Sequence, residues 1–107
     1  MEQELIHFVE SPGFTRRIDK LASLEVLFAL QNDLVDDPEL GDLMAGCAGA
    51  RKARVGDKAG ARGKSGAFRY VYVYIEIAGT IYLLHFFLGK LVKELKRLYG
   101  GKKRKEK

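Results

Sequence analysis

Phe68-Arg69-Tyr70-Val71-Tyr72-Val73-Tyr74-Ile75 decides the fold, because two sets of side chains alternate along it. Phe68, Tyr70, Tyr72 and Tyr74 fall on one side, and Arg69, Val71, Val73 and Ile75 on the other. A period of two marks a β-strand, whose successive side chains point to opposite faces. Large residues on both sides predict a strand with both faces in use. Aromatic and β-branched side chains suit a pleated surface, so the tyrosines read first as strand formers covering a core. Downstream, a turn around Ala78-Gly79 leads into Thr80–Leu88, whose nearly continuous apolar character predicts a central strand. Upstream, Ala50–Val55 reads as a third strand, and Gly46, Gly49, Gly56, Gly60, Gly63 and Gly66 make the flanking loops permissive.

In the amino-terminal half the period changes. Leu5-Ile6-His7-Phe8-Val9 predicts a short strand, stopped by Ser11-Pro12-Gly13. Phe14, Ile18 and Leu21 then recur at helical spacing, with Arg16, Arg17, Asp19 and Lys20 facing water. Ser23 is placed to cap a second helix, with Glu25 in its first turn, where the helix dipole favours an anion. The expected apolar stripe of that helix is Leu24, Leu27, Phe28 and Leu34, and Asp36-Asp37-Pro38 ends it. Beyond the last strand, Leu91, Val92, Leu95, Leu98 and Tyr99 mark an amphipathic helix closed by Gly100-Gly101. The predicted fold is α+β in the order β-α-α-β-β-β-α, with two amino-terminal helices packed on a small, mainly antiparallel sheet. Residues 1–99 form the domain, and 100–107 a disordered basic tail.

Composition narrows the function classes. A chain of 107 residues has room for one hydrophobic core, and 47% apolar with 31% charged residues is a globular profile. The uninterrupted apolar run Ile77–Gly89 holds 13 residues, whereas a membrane-spanning helix needs about 20. A single cysteine, Cys47, excludes an internal disulfide, and Met1–Glu10 lacks a secretory pattern. A cytoplasmic location is expected.

The net charge of +5 hides a strong asymmetry. Residues 1–49 carry net −7, residues 50–99 net +8, and residues 100–107 net +4. Such a division points to a polyanion as partner, although a solvated basic face has the same composition. Within it, residues 51–69 hold Arg51, Lys52, Arg54, Lys58, Arg62, Lys64 and Arg69 against one acid, Asp57. Lys52 and Arg54 are two apart in a strand and share a face. If that strand pairs with the one that begins at Phe68, Arg69 joins them on one surface. Arginine and lysine there hold phosphates, and a tyrosine at the rim that stacked a base would add ~1–3 kcal/mol.

The remaining polar residues offer less. His7 and His85 each sit in an apolar strand and read as satisfied or surface histidines. Asp33, Asp36, Asp37, Glu39 and Asp42 lack calcium-loop spacing and read as a solvated helix end and loop. No metal site and no cofactor are expected.

Three runs together resemble the RelE/ParE toxin superfamily, in particular its HigB-like and phage-derived RelE-like branch. They are Gly49-Ala50-Arg51-Lys52-Ala53-Arg54-Val55, Gly63-Lys64-Ser65-Gly66-Ala67-Phe68-Arg69-Tyr70-Val71-Tyr72 and Ile81-Tyr82-Leu83-Leu84. The opening Phe8-Val9-Glu10-Ser11-Pro12-Gly13-Phe14 and the element order agree, and the likeness spans roughly residues 5–90. The resemblance implies a RelE-like fold and a type II toxin that cleaves messenger RNA on the ribosome. It also implies a cognate antitoxin, expected to be of helix-turn-helix type, and no small-molecule cofactor or membrane partner. By the same resemblance Arg69 lies beside the scissile phosphate, and Lys52, Arg54 and Lys64 complete the catalytic set. Arg51, Lys58, Arg62 and Lys90 are the implied RNA-binding residues. Two positions depart from the pattern: Ser65 replaces a basic residue, and Phe87-Leu88-Gly89-Lys90-Leu91-Val92 replaces a more polar segment.

Cleavage by an RNA 2′-hydroxyl needs in-line positioning, neutralisation of the phosphorane charge and protonation of the leaving oxygen. With no His/Glu pair in the sequence pattern, these tasks fall to arginine and lysine. Clustered positive charge makes Lys52 or Lys64 readier to exchange a proton. Such a site is a poor free ribonuclease, and the ribosome would supply much of the substrate positioning. A non-catalytic binder on the same fold, such as a gyrase-poisoning ParE-like toxin or an inert RNA-binding relative, is the alternative.

Overall fold

The computed structural model describes residues 5–56 and 68–88. Its centre is an antiparallel hairpin of β4 (Phe68–Ile75) and β5 (Thr80–Leu88), joined by a 3-10 turn at Glu76–Ala78. Gly79 closes that turn at φ +60°, the left-handed conformation that side-chain-bearing residues resist. Pairing runs from Phe68 opposite Leu88 to Ile75 opposite Thr80, with one irregularity: Val71 faces His85, but Tyr72 faces Leu83. Leu84 is therefore an extra residue, a β-bulge. The bulge shifts the alternation of β5 by one. Ile81 and Leu83 before it and Phe86 after it are all buried in one core. Without the shift Phe86 would face outward, and His85 and Phe87 would face inward.

β3 (Arg51–Val55) pairs antiparallel with β4, and a two-residue β2 (Asp42–Leu43), absent from the sequence reading, pairs with β3. β1 (His7–Glu10) runs parallel to the first half of β5, giving a mixed five-stranded sheet in the order β1-β5-β4-β3-β2. Beyond β1 the edge of β5 is covered by side chains. Ser11 Oγ donates to the Leu84 carbonyl (2.8 Å), and Arg17 Nε donates to the Phe86 carbonyl (3.0 Å). These bonds occupy carbonyls that would otherwise be open to another strand.

Both helices pack on one face. α1 (Pro12–Leu21) begins two residues before Phe14, because Ser11 caps it by accepting the Phe14 N–H (3.0 Å). Ser11-Pro12-Gly13 thus ends the strand and starts the helix, with Pro12 at a position where its missing N–H costs nothing. α2 (Leu24–Asp36) follows Ser23 but buries Val26, Leu30 and Leu34. The expected stripe is corrected here: Leu24 and Phe28 are 62% and 53% exposed, on the opposite side of the helix. Apolar residues occur on both sides of α2, so contact with the sheet, and not periodicity, selects the buried one.

The core is aromatic at its centre. Phe86 stacks on Phe68 (5.0 Å between centroids) and meets Phe14 edge-on (5.6 Å). Tyr70 and Tyr72 lie fully buried beside them. A smaller cluster, Ala50, Val71 and Phe87, lies on the opposite face of the sheet. The predicted helix at Leu91–Tyr99 and the tail fall outside the described residues. Among the described residues no helix is long and apolar enough to cross a membrane.

Candidate nucleic-acid interface

Alternation along β3 sorts its residues cleanly. Ala53 and Val55 enter the helix-side core, and Lys52 and Arg54 stand exposed on the other face. The register sets Arg54 directly opposite Arg69, which is half-buried on β4. Side chains at such positions have Cβ atoms about 4.5–5.5 Å apart, and like charges so placed destabilise a sheet. An anion between two guanidinium groups reverses that effect and accepts several charge-assisted hydrogen bonds. Lys52, two residues along the same face, adds a third cation. Together with Leu40, Asp42 and Ala53 they line a cavity of about 330 Å³. Asp42 opposes Lys52 in the β2–β3 pair and supplies the single carboxylate among the described residues of that lining.

The cavity wall formed by Leu40 and Asp42 is held by a clasp of hydrogen bonds. Tyr72 Oη donates to the Pro38 carbonyl (2.8 Å) and accepts the Gly41 N–H (2.9 Å). Arg51 Nη1 donates to the carbonyls of Gly41 (2.7 Å) and Glu39 (3.2 Å). Gly41 lies so close to β3 that a Cβ there would sit 2.8 Å from the Lys52 carbonyl oxygen. Arg51, expected among the RNA-binding residues, is thus turned away from Lys52 and Arg54 and binds the 39–41 segment. Nothing in local periodicity marks Leu40 or Asp42 as part of the site, because the Tyr72 bonds of the clasp join residues more than thirty apart in the chain.

The same outer face continues across β5. Phe87 opposes Arg69, and His85 opposes Val71. The His85 and Phe87 rings lie nearly parallel, 5.8 Å apart. Partial burial pushes the His85 imidazole below its ordinary value, favouring the neutral ring at pH 7. His85 is a surface strand histidine, as read from the sequence, but it shares a face with Arg69. Tyr70 and Tyr72 are buried on the helix side and do not reach this face, in keeping with their reading as core residues.

Lys52, Arg54 and Arg69 are therefore brought together and Arg51 is not. Lys58, Arg62, Lys64 and Lys90 fall outside the described residues. Among the described residues no group of three or more His, Cys, Asp or Glu could hold a metal ion. Phe86 and Phe87 are buried and Leu88 half-buried, with Phe86 in the main core.

No family model matches the chain. Its fold is nevertheless similar to that of solved structures of a bacterial toxin. A double mutant of the Escherichia coli toxin RelE in the free state matches with TM-score 0.61 at 14% identity, over 84% of this chain and 90% of that one. The intact E. coli RelBE toxin–antitoxin complex matches with TM-score 0.59 at 15% identity, over 78% of this chain and 95% of that one. The isolated E. coli RelE toxin gives TM-score 0.57 at 17% identity, over 88% and 99%. At these identities the likeness is one of fold: the chain has a RelE-like α+β architecture.

Proposed function

We propose that this protein is the toxin of a toxin–antitoxin pair and an endonuclease of messenger RNA on the ribosome. The observation that carries this reading is the opposition of Arg54 and Arg69, with Lys52 beside them, in one cavity. Among the described residues of that lining, three cations against one carboxylate fit a phosphodiester whose charge rises on the way to a phosphorane. Arg69, half-buried between β3 and β5, is the most constrained of the three and contacts the scissile phosphate. Its planar fork can engage two phosphate oxygens at once. Arg54 holds the adjoining oxygen, and Lys52 exchanges the proton with the attacking or leaving oxygen. The RelE-like fold, seen in a toxin that has been solved with its antitoxin, supports a cognate antitoxin for this chain as well. The Arg-Lys-x-Arg strand and the Gly-Lys-x-Gly-x-x-Arg run favour the HigB-like branch, whose resemblance implies a helix-turn-helix antitoxin, and the single cysteine fits a reducing cytoplasm.

Brief expression followed by primer extension on cellular messenger RNA tests the reading. The wild-type chain is expected to give discrete cuts. Arg69→Ala should abolish them, since an uncompensated phosphorane charge costs about 3–4 kcal/mol, a loss of at least a hundredfold in rate. A folded Arg69→Ala protein that still cuts messenger RNA removes the catalytic assignment. Growth inhibition by the wild type without any cuts would favour a gyrase poison or a non-catalytic binder.

A further inference from the structure

A second basic surface lies on α1, outside the cavity described above. Gly13, Arg16, Arg17, Lys20 and Leu21 line a hollow of about 420 Å³. Their spacing (i, i+3, i+4, i+7, i+8) puts them on one helix face, and Asp19, the single acid of α1, projects from another. Among the described residues, the hollow is lined by three cations and no carboxylate.

Arg17 is not a freely moving surface cation. Its Nε–H is bonded to the Phe86 carbonyl, and its Cζ lies 5.9 Å from the centre of the Phe87 ring. Bonding at Nε leaves the terminal nitrogens of the guanidinium for another acceptor, already oriented, so less freedom is lost when an anion binds. Phe87 in turn opposes Arg69, which opposes Arg54. Arg54, Arg69, Phe87 and Arg17 thus form one line across three strands and around the edge of β5. Strands lie about 4.8 Å apart, so Arg54 and Phe87 are roughly 10 Å apart, and Arg17 adds one further step.

We propose that Arg16, Arg17 and Lys20 form a second phosphate-binding subsite for the same RNA strand, engaging phosphates beyond the one held by Arg69. The inference rests on the function proposed above and extends it: Arg17 links the two basic surfaces into one track. The cations of α1 position the strand and take no part in bond cleavage.

Binding of the full chain to 2′-O-methylated single-stranded RNA of about four and about twelve nucleotides, followed by fluorescence anisotropy across a salt series, tests this. Arg16 and Lys20 are exposed, so a protein with both Arg16→Ala and Lys20→Ala should keep its circular dichroism spectrum. For the longer strand its log Kd against log salt slope should fall by about 1.4, two contacts at roughly 0.7 each. Its affinity for the shorter strand should be unchanged. Lys52→Ala with Arg54→Ala should weaken both strands. Arg17→Lys keeps the charge but loses the carbonyl bond, and should weaken the longer strand alone.

An unchanged slope in Arg16→Ala/Lys20→Ala, with Lys52→Ala/Arg54→Ala still weakening binding, overturns the subsite and leaves the cavity assignment standing. A wild-type chain that binds neither strand at low salt overturns both. If the α1 substitutions abolish binding of a poly-glutamate peptide and leave RNA binding untouched, the face docks an acidic protein and the proposal is wrong.

Discussion

Tyr70 and Tyr72 sit two residues apart on the same face of β4, and their hydroxyls meet opposite fates. The Tyr72 hydroxyl both donates and accepts in the clasp on Pro38 and Gly41. That of Tyr70 is buried with no hydrogen-bond partner among the described residues. An orphan hydroxyl in a core costs about 1–3 kcal/mol, so removing it is neutral or favourable, whereas removing a paired one strands its partners. Urea unfolding of Tyr70→Phe is expected to show unchanged stability or a gain of about 1 kcal/mol. Tyr72→Phe should lose about 1–2 kcal/mol. Burial, the nearby Tyr72 and Asp33 together push the Tyr70 phenol well above its ordinary value near 10, and burial also raises that of Tyr72. Below pH ~10 both states of the chain keep these protons, and stability does not depend on them. Above pH ~10 the unfolded chain ionises first and stability falls. The fall should be shallower in Tyr70→Phe; a wild-type protein whose stability stays flat up to pH 11 or so would contradict this.

At the scale of elements, the segment 38–41 shows how a site wall is built without regular structure. Gly41 is needed for close approach, since a methyl group there would meet the Lys52 backbone carbonyl. Gly41→Ala should therefore push the segment off β3, weaken the Tyr72 and Arg51 bonds and cost about 1–3 kcal/mol of stability. It should also lower RNA affinity, because Asp42 and Leu40 would no longer bound the cavity beside Lys52. Equal stability and equal RNA binding in Gly41→Ala would show that the clasp does not shape the cavity. The β5 bulge works similarly on a longer element. Thr80–Leu88 was readable as a strand, but Leu83-Leu84-His85-Phe86-Phe87 is apolar on both faces apart from His85, so no alternation revealed the phase change at Leu84. In α2 the same ambiguity hid the buried stripe: Leu24, Phe28 and Val35 compete with Val26, Leu30 and Leu34, and packing on the sheet decides between them.

For the whole molecule, charge is arranged unevenly in a way that separates attraction from orientation. Residues 100–107 carry net +4 of the total +5, yet Lys52, Arg54 and Arg69 are cations that the sheet sets at defined separations on one face. A run of lysines raises the encounter rate with any polyanion and adds affinity that salt removes, but it does not orient a reacting phosphate. Deleting residues 100–107 should leave cleavage positions unchanged and make the salt dependence of ribosome binding shallower. Primer extension and ribosome co-sedimentation across a salt series measure the two effects. A truncated protein that folds, binds ribosomes and no longer cuts would place part of the active site in those residues.

The alternation of Phe68–Ile75, the apolar run Thr80–Leu88 and the pairing of Lys52 with Arg54 were all legible in the chain itself. Each depends only on the two-residue period of a strand, a local property of the backbone. That period alone placed the tyrosines and Arg69 on opposite faces. The opposition of Arg54 and Arg69, the diversion of Arg51 to the 39–41 carbonyls, the entry of Asp42 into the cavity and the anchoring of Arg17 over Phe87 depend on strand register and on bonds between distant residues. Those were decided by tertiary structure, because a side chain's partner is set by how elements dock and not by its sequence neighbours.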